Sequence, residues 1–275
     1  MTDLCVRRPG FAFPDDADPM WTPGAPEFAC AANAVSLLMP HMEPYFVRSI
    51  AAVGAELPDE VAADARAYVA QEGAHQREHR RFNRLLATRY RGLGPLDRAA
   101  ARVYGHLGRR RSAGFNVAFT AASETIAYSA ARWAAERRRE LFGGADSALA
   151  DLFIWHLAEE VEHKGVAWDV HRALGGTRRR YLAAAVLAVA LTALFVVAGT
   201  VVMTAAERRL HRPVAWLRLI RWGLTFAFEL LPNLAVALSA GHHPDRFTDP
   251  LWYEVWLREY AGAQANAQAD GNQAP

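Results

Sequence analysis

The sequence predicts an all-α protein, on three observations. Apolar residues recur at helical spacing from residue 27 onward, no stretch alternates as a strand would, and the breaks carry helix-ending glycines and helix-starting prolines. Residues 1–26 are rich in Pro, Gly and Asp without a period, so an extended N-terminal arm is expected. Helices follow over roughly 27–56, 58–90, 95–109, 112–142, 146–174, 179–210, 213–240 and 250–262. The separators include Leu57-Pro58-Asp59, Gly92-Leu93-Gly94-Pro95, Gly143-Gly144-Ala145-Asp146, Gly175-Gly176-Thr177 and Gly241-His242-His243-Pro244. One helical domain over 27–262 is expected, with a bundle at 27–176, a hydrophobic helix pair at 177–240 and a last helix within 241–262. The polar stretch 263–275 reads as a disordered tail.

With 275 residues and 52% apolar composition the chain can bury a sizeable core. Its formal charge of +2 has no segregated basic domain, which argues against a nucleic-acid partner. Cys5 and Cys30 form neither a metal-ligand spacing nor a disulfide framework, and the N-terminus lacks the apolar core of a signal peptide, so the cytoplasm is expected. The run 182–206 has no charge over 25 residues, long enough to cross a hydrocarbon core of about 30 Å. Arginines flank it on both sides, and the next apolar stretch, 222–240, holds Glu229 and Pro232. Membrane contact through 182–240, at the inner face of the membrane, and a buried central helix pair are therefore equally open.

Glu72, His75 and His79 lie at i, i+3 and i+7, within a narrow arc of one helix face. The stretch Trp155–His163, WHLAEEVEH, repeats the arrangement, with Glu160 and His163 as a second Glu-x-x-His pair. Glu124 is the only charge between Phe115 and Ala131, and such a carboxylate must be neutralised, hydrogen-bonded or bound to a cation. Glu43 follows from another helix. The order is Glu43, 28 intervening residues, Glu72-x-x-His75, then Glu124, 35 intervening residues, Glu160-x-x-His163. One Glu from each of two helices and one Glu-x-x-His from each of two others is the ferritin-like dinuclear pattern. The fold expected is therefore a ferritin-like four-helix bundle core with an added C-terminal hydrophobic hairpin. Four carboxylates and two imidazoles without thiolate suit two divalent ions, Fe first, with Mn or Zn as alternatives. His79, His156 and Glu159 face the same way and are either further ligands or groups that orient them. The bland reading is a set of solvated charges, with Glu72 and Glu78 paired to Arg77, Arg80 or Arg81 across the surface.

The stretches MPHMEPYFVRSI, AQEGAHQREHRRFN (70–83) and WHLAEEVEHKGVAWDV (155–170), with an echo in GHHPDRF from Gly241, resemble a bacterial family of predicted metal-dependent hydrolases. The resemblance covers most of residues 30–260. It implies a ferritin-like helical protein, with Glu43, Glu72, His75, Glu124, Glu160 and His163 at its metal site. Pro44, directly after Glu43, departs from the ordinary helix residue expected there.

Three functions compete. In a hydrolase two bridged ions would activate water against an ester, amide or phosphate, with Glu159 or His79 as general base. In a di-iron oxygenase or oxidase the hairpin would deliver an apolar, lipid-like substrate. A non-enzymatic metal-binding protein is the third. A serine hydrolase is disfavoured, since there is no Gly-x-Ser-x-Gly. A small-molecule substrate is expected, and a homodimer is left open.

Overall fold

A computed structural model describes residues 4–239 and 241–260. Among these residues every regular element is helical: α1 (Pro26–Ala51), α2 (Asp59–Arg89), α3 (Gly94–Arg110), α4 (Ala113–Glu136), α5 (Arg138–Phe142), α6 (Ser147–Glu162), α7 (Val166–Ala173), α8 (Arg178–Ala206) and α9 (Pro213–Ala237), with helical backbone again over 251–260. Three short 3-10 turns, Gly54–Glu56, Arg91–Leu93 and Pro244–Arg246, join them. The expected tail at 263–275 lies outside the described residues.

Two helices expected to be continuous are each divided. The one expected over 112–142 ends at Glu136 and restarts as α5. The one expected over 146–174 ends at Glu162, and His163 caps it in a non-helical conformation (φ −103°, ψ 11°) before α7 begins. Gly165 in that turn leaves room for Asp245 of the Gly241–Phe247 stretch, whose Oδ1 would stand 2.6 Å from a Cβ there.

Helix α1 runs through the middle of the molecule, against α2 on one side and α8 on another, while α4 packs against α6, α7, α8 and α9. Pro40 and Pro44 both lie inside α1 without ending it. Each lacks the N–H that would bond the carbonyl four residues back, and α2 supplies the missing donors. Ser36 O accepts from Asn83 Nδ2 at 2.8 Å, and Pro40 O accepts from Arg80 Nη2 at 3.5 Å. Helix geometry at Glu43 is thereby kept.

The N-terminal arm has no regular structure yet is bound to the bundle. Phe11 packs edge-on to Trp155, Phe13 to Phe82, and Trp21 stacks on Phe153. Behind α1, Glu27 is buried and receives Arg209 Nη2 at 2.7 Å and Arg218 Nη1 at 3.1 Å, which ties the α8–α9 connection to the bundle.

Candidate metal centre

Helices α1, α2, α4 and α6 each turn an acidic side chain inward at one level of the bundle. Glu43, Glu72, Glu124 and Glu160 are at most 4% exposed, and His75, His79 and His163 at most 1%. All six expected ligands meet there. The surface-pairing alternative is overturned for Glu72, which is buried with no Arg partner, whereas Glu78 does pair with Arg81. Four ligand-atom groups lie each within 4.8 Å: Glu72, Glu124, Glu160 and His163; Glu43, Glu72 and His75; His75, His156 and Glu160; Glu43, His79 and His156. Glu72 and Glu160 each recur, so the groups overlap as one continuous cluster.

Among the described residues, six buried atoms here make no hydrogen bond: both carboxylate oxygens of Glu43 and of Glu72, Glu124 Oε2 and His75 Nδ1. Buried polar atoms are ordinarily paired, and leaving one unpaired costs about 1–3 kcal/mol. Their convergence fits a cation. Electrostatics says the same. Burial first, then the charges of its neighbours, raises the proton affinity of Glu43, Glu72 and Glu124 above the ordinary carboxylate value. Burial also opposes charge on Glu160 and His163, but their mutual attraction prevails, holding Glu160 well below and His163 well above their ordinary values.

Hydrogen bonds around the cluster fix which ring nitrogen faces it. His75 Nε2 lies 2.9 Å from Glu159 Oε2, so it carries the proton and leaves the Nδ1 lone pair toward Glu72 and Glu160. Gln71 Nε2 donates to Cys5 O and Glu162, so Gln71 Oε1 accepts from His163 Nδ1 at 3.1 Å. His163 Nε2 then stands 3.3 Å from Glu72, Glu124 and Glu160 alike. A third chain runs from Asn83. Its amide nitrogen is committed to Ser36 O, so its oxygen accepts from Ser36 Oγ at 2.7 Å. Ser36 Oγ in turn accepts from His79 Nδ1 at 2.8 Å, and His79 Nε2 accepts from His156 Nδ1 at 2.6 Å. His156 Nε2 is left facing Glu160 Oε1 at 2.7 Å and Glu43 Oε1 at 3.7 Å, an arrangement that needs a cation or proton between them.

The two residues expected as general bases are otherwise engaged. Glu159 Oε1 accepts from Arg7 at 3.1 Å and Trp155 at 3.0 Å, and Oε2 from His75. His79 spends both nitrogens between Ser36 and His156. Both brace a neighbouring imidazole, Glu159 that of His75 and His79 that of His156, and Glu160 rather than Glu159 faces the other carboxylates. Tyr128 points elsewhere, to Thr248 O. Sequence reasoning missed Tyr68, which donates to Glu124 Oε1 at 2.6 Å, and also Gln71, Ser36 and Arg7. Tyr68 lies one turn before Glu72, a spacing that could have shown it; Arg7 sits in the aperiodic arm, which offers no such signal.

The family model described as predicted metal-dependent hydrolase matches residues 5–247. The chain belongs to this family of predicted metal-dependent hydrolases. Comparison with curated proteins and with solved structures gives no match. Membership spans the arm, the four acidic helices and the Gly241–Phe247 stretch, so the groups that orient the cluster lie inside the matched region.

Proposed function

We propose that this family member is a hydrolase whose centre takes two divalent cations. The observation that supports it is the convergence of six partnerless buried atoms from α1, α2 and α4. Glu72, Glu124, Glu160 and His163, which form one group, would hold one ion, and Glu43, His75 and His156, drawn from the three overlapping groups beside it, would hold the other, with Glu72 and Glu160 each shared between the first group and one of these. Two ions would supply a water acidified toward neutral pKa and a clamp for the oxygen of an ester, amide or phosphate. The chain's own part is positional. Glu159, Gln71 and His79 set the tautomers of His75, His163 and His156, and the Tyr68 hydroxyl holds Glu124 in one orientation. Arg7 and Phe11 bring the arm across α2 and α6 and keep bulk water from that side.

A second reading, a di-iron oxygenase acting on an apolar substrate, is favoured by the donor set itself: oxygen-rich, with imidazole and no thiolate. One experiment addresses both. Metal content is measured on protein purified without added metal, with an optical spectrum before and after reduction and air exposure. About two ions per chain are expected, with hydrolysis of model esters or phosphates and no redox response. Two irons with an oxygen-sensitive near-ultraviolet band would transfer the assignment to oxygen chemistry. Glu72→Ala and Glu160→Ala should each lose most of the metal, and near-normal content in both would refute the centre.

A further inference from the structure

The α8–α9 pair has its polarity inverted for a protein surrounded by water. Along α9 four polar side chains turn inward, Arg218 to Glu27, Thr225 to Trp133, Glu229 to Arg132 and Asn233 to Ser129, while Arg221 stays exposed beside Glu140. The bulky apolar ones turn out, with Leu217, Ile220, Leu224, Phe228 and Leu231 all between 57% and 77% exposed. Their spacing of three and four residues makes one stripe. Helix α8 does the same. Its small residues Ala184, Ala185, Ala188 and Gly199 are buried against the bundle, while Leu182, Val186, Leu194 and Val197 form an exposed stripe. Both helices are long and apolar enough to cross a membrane, and neither is mostly buried, which removes the expectation of a buried central pair.

We propose that the outer face of α8 and α9 beds into one leaflet of an anionic lipid bilayer, with the bundle lying on the membrane rather than threaded through it. Two features select this mode. Helix α8 is pinned along its length: Tyr181 bonds Thr125 of α4 at one end, and Gly199 touches Ala34 of α1 toward the other. Lipid therefore has access to one side only. Helix α2, on the far side of α1, exposes Arg66, Arg77, Arg80 and Arg84, which belong in water.

The occupant is identified by charge. From Arg178 to Phe228 the chain carries eight arginines against one acidic residue, Glu207, and although Arg209 and Arg218 pair with Glu27 and Arg221 with Glu140, the other five have no such acidic partner among the described residues. Arg178, Arg179, Arg208 and Arg212 stand exposed at the ends of the apolar stripe, where anionic headgroups would lie. The chain's own C-terminal segment is a poor alternative, since residues 261–275 hold no apolar side chain larger than Ala or Pro.

The test is flotation of the full chain with vesicles of phosphatidylcholine containing about one quarter phosphatidylserine, beside vesicles of phosphatidylcholine alone. The wild type is expected to float with the anionic vesicles and less with the neutral ones. Leu224→Glu with Phe228→Glu should lower partitioning at least about tenfold. Metal content of that variant should be unchanged, which separates lost lipid binding from a damaged centre. Equal flotation of wild type and variant would overturn the proposal. So would a wild type that stays unbound and runs as a dimer which the variant makes monomeric, because the face then belongs to a second copy.

Discussion

His79 makes both its hydrogen bonds away from the four central carboxylates, to Ser36 and His156, yet it decides which nitrogen His156 offers them. Residues that orient a metal-binding imidazole usually contribute about 10–100-fold in affinity. His79→Ala should therefore weaken binding at the position of Glu43, His75 and His156 by about that factor, and leave the position of Glu124 and His163 filled. Metal titration read as two stoichiometric steps checks this, and two steps at wild-type affinity would remove His79 from the role. His79→Gln, whose amide oxygen can accept from His156 Nδ1, should recover part of the loss. At this scale the sequence brought out the carboxylates and imidazoles that cluster, because Glu-x-x-His on a helix is a local spacing. It showed the orienting groups poorly: Ser36, Gln71 and Arg7 act across 43, 92 and 152 residues of chain respectively, and no single-helix period reports such pairs.

Between elements, the two prolines of α1 explain how α1 and α2 are held in register. Asn83 serves Pro40 by bonding the Ser36 carbonyl that the proline leaves free, and it also takes the Ser36 hydroxyl. Asn83→Ala should cost about 2 kcal/mol, the sum of two ordinary part-buried bonds. Pro40→Ala restores an N–H that can bond Ser36 O, so the same Asn83→Ala change should cost measurably less in that background. Denaturant unfolding of the four proteins in the cycle checks it, and strict additivity would disconnect the pair. Most helix boundaries were legible from Pro, Gly and capping residues. The break at His163 was not, since Lys164-Gly165 is a weak stop on its own. Asp245, some eighty residues later, lies against Gly165, a long-range approach that no local pattern reports. The polarity of α8 and α9 lay between these cases: composition showed two apolar helices, but only packing shows which side of each faces outward.

For the whole molecule the buried acidic cluster costs stability that bound cations would relieve, and the pH dependence gives the sign. Glu43, Glu72 and Glu124 hold protons more tightly folded than unfolded, as does His163. Groups with raised folded pKa values stabilise fully below the unfolded value, and that stability is lost as pH rises through the folded one. For the carboxylates the loss begins above 4.5, and for His163 above 6.5. Glu160 is depressed, so its contribution is already complete above 4.5. His75 and His79 are lowered from 6.5 by burial, His171 to about 4, and they favour the folded state as pH rises to 6.5 but not beyond. The uncompensated window therefore opens above pH 6.5, where the metal-free protein should lose stability steadily as pH rises. Bound cations take the place of those protons, and an excess of 100-fold over Kd adds about 2.7 kcal/mol. The gap in Tm between loaded and metal-free protein should consequently widen across that window, measured by calorimetry at fixed free metal. A gap that stays constant would mean the buried carboxylates are compensated by something other than the metal.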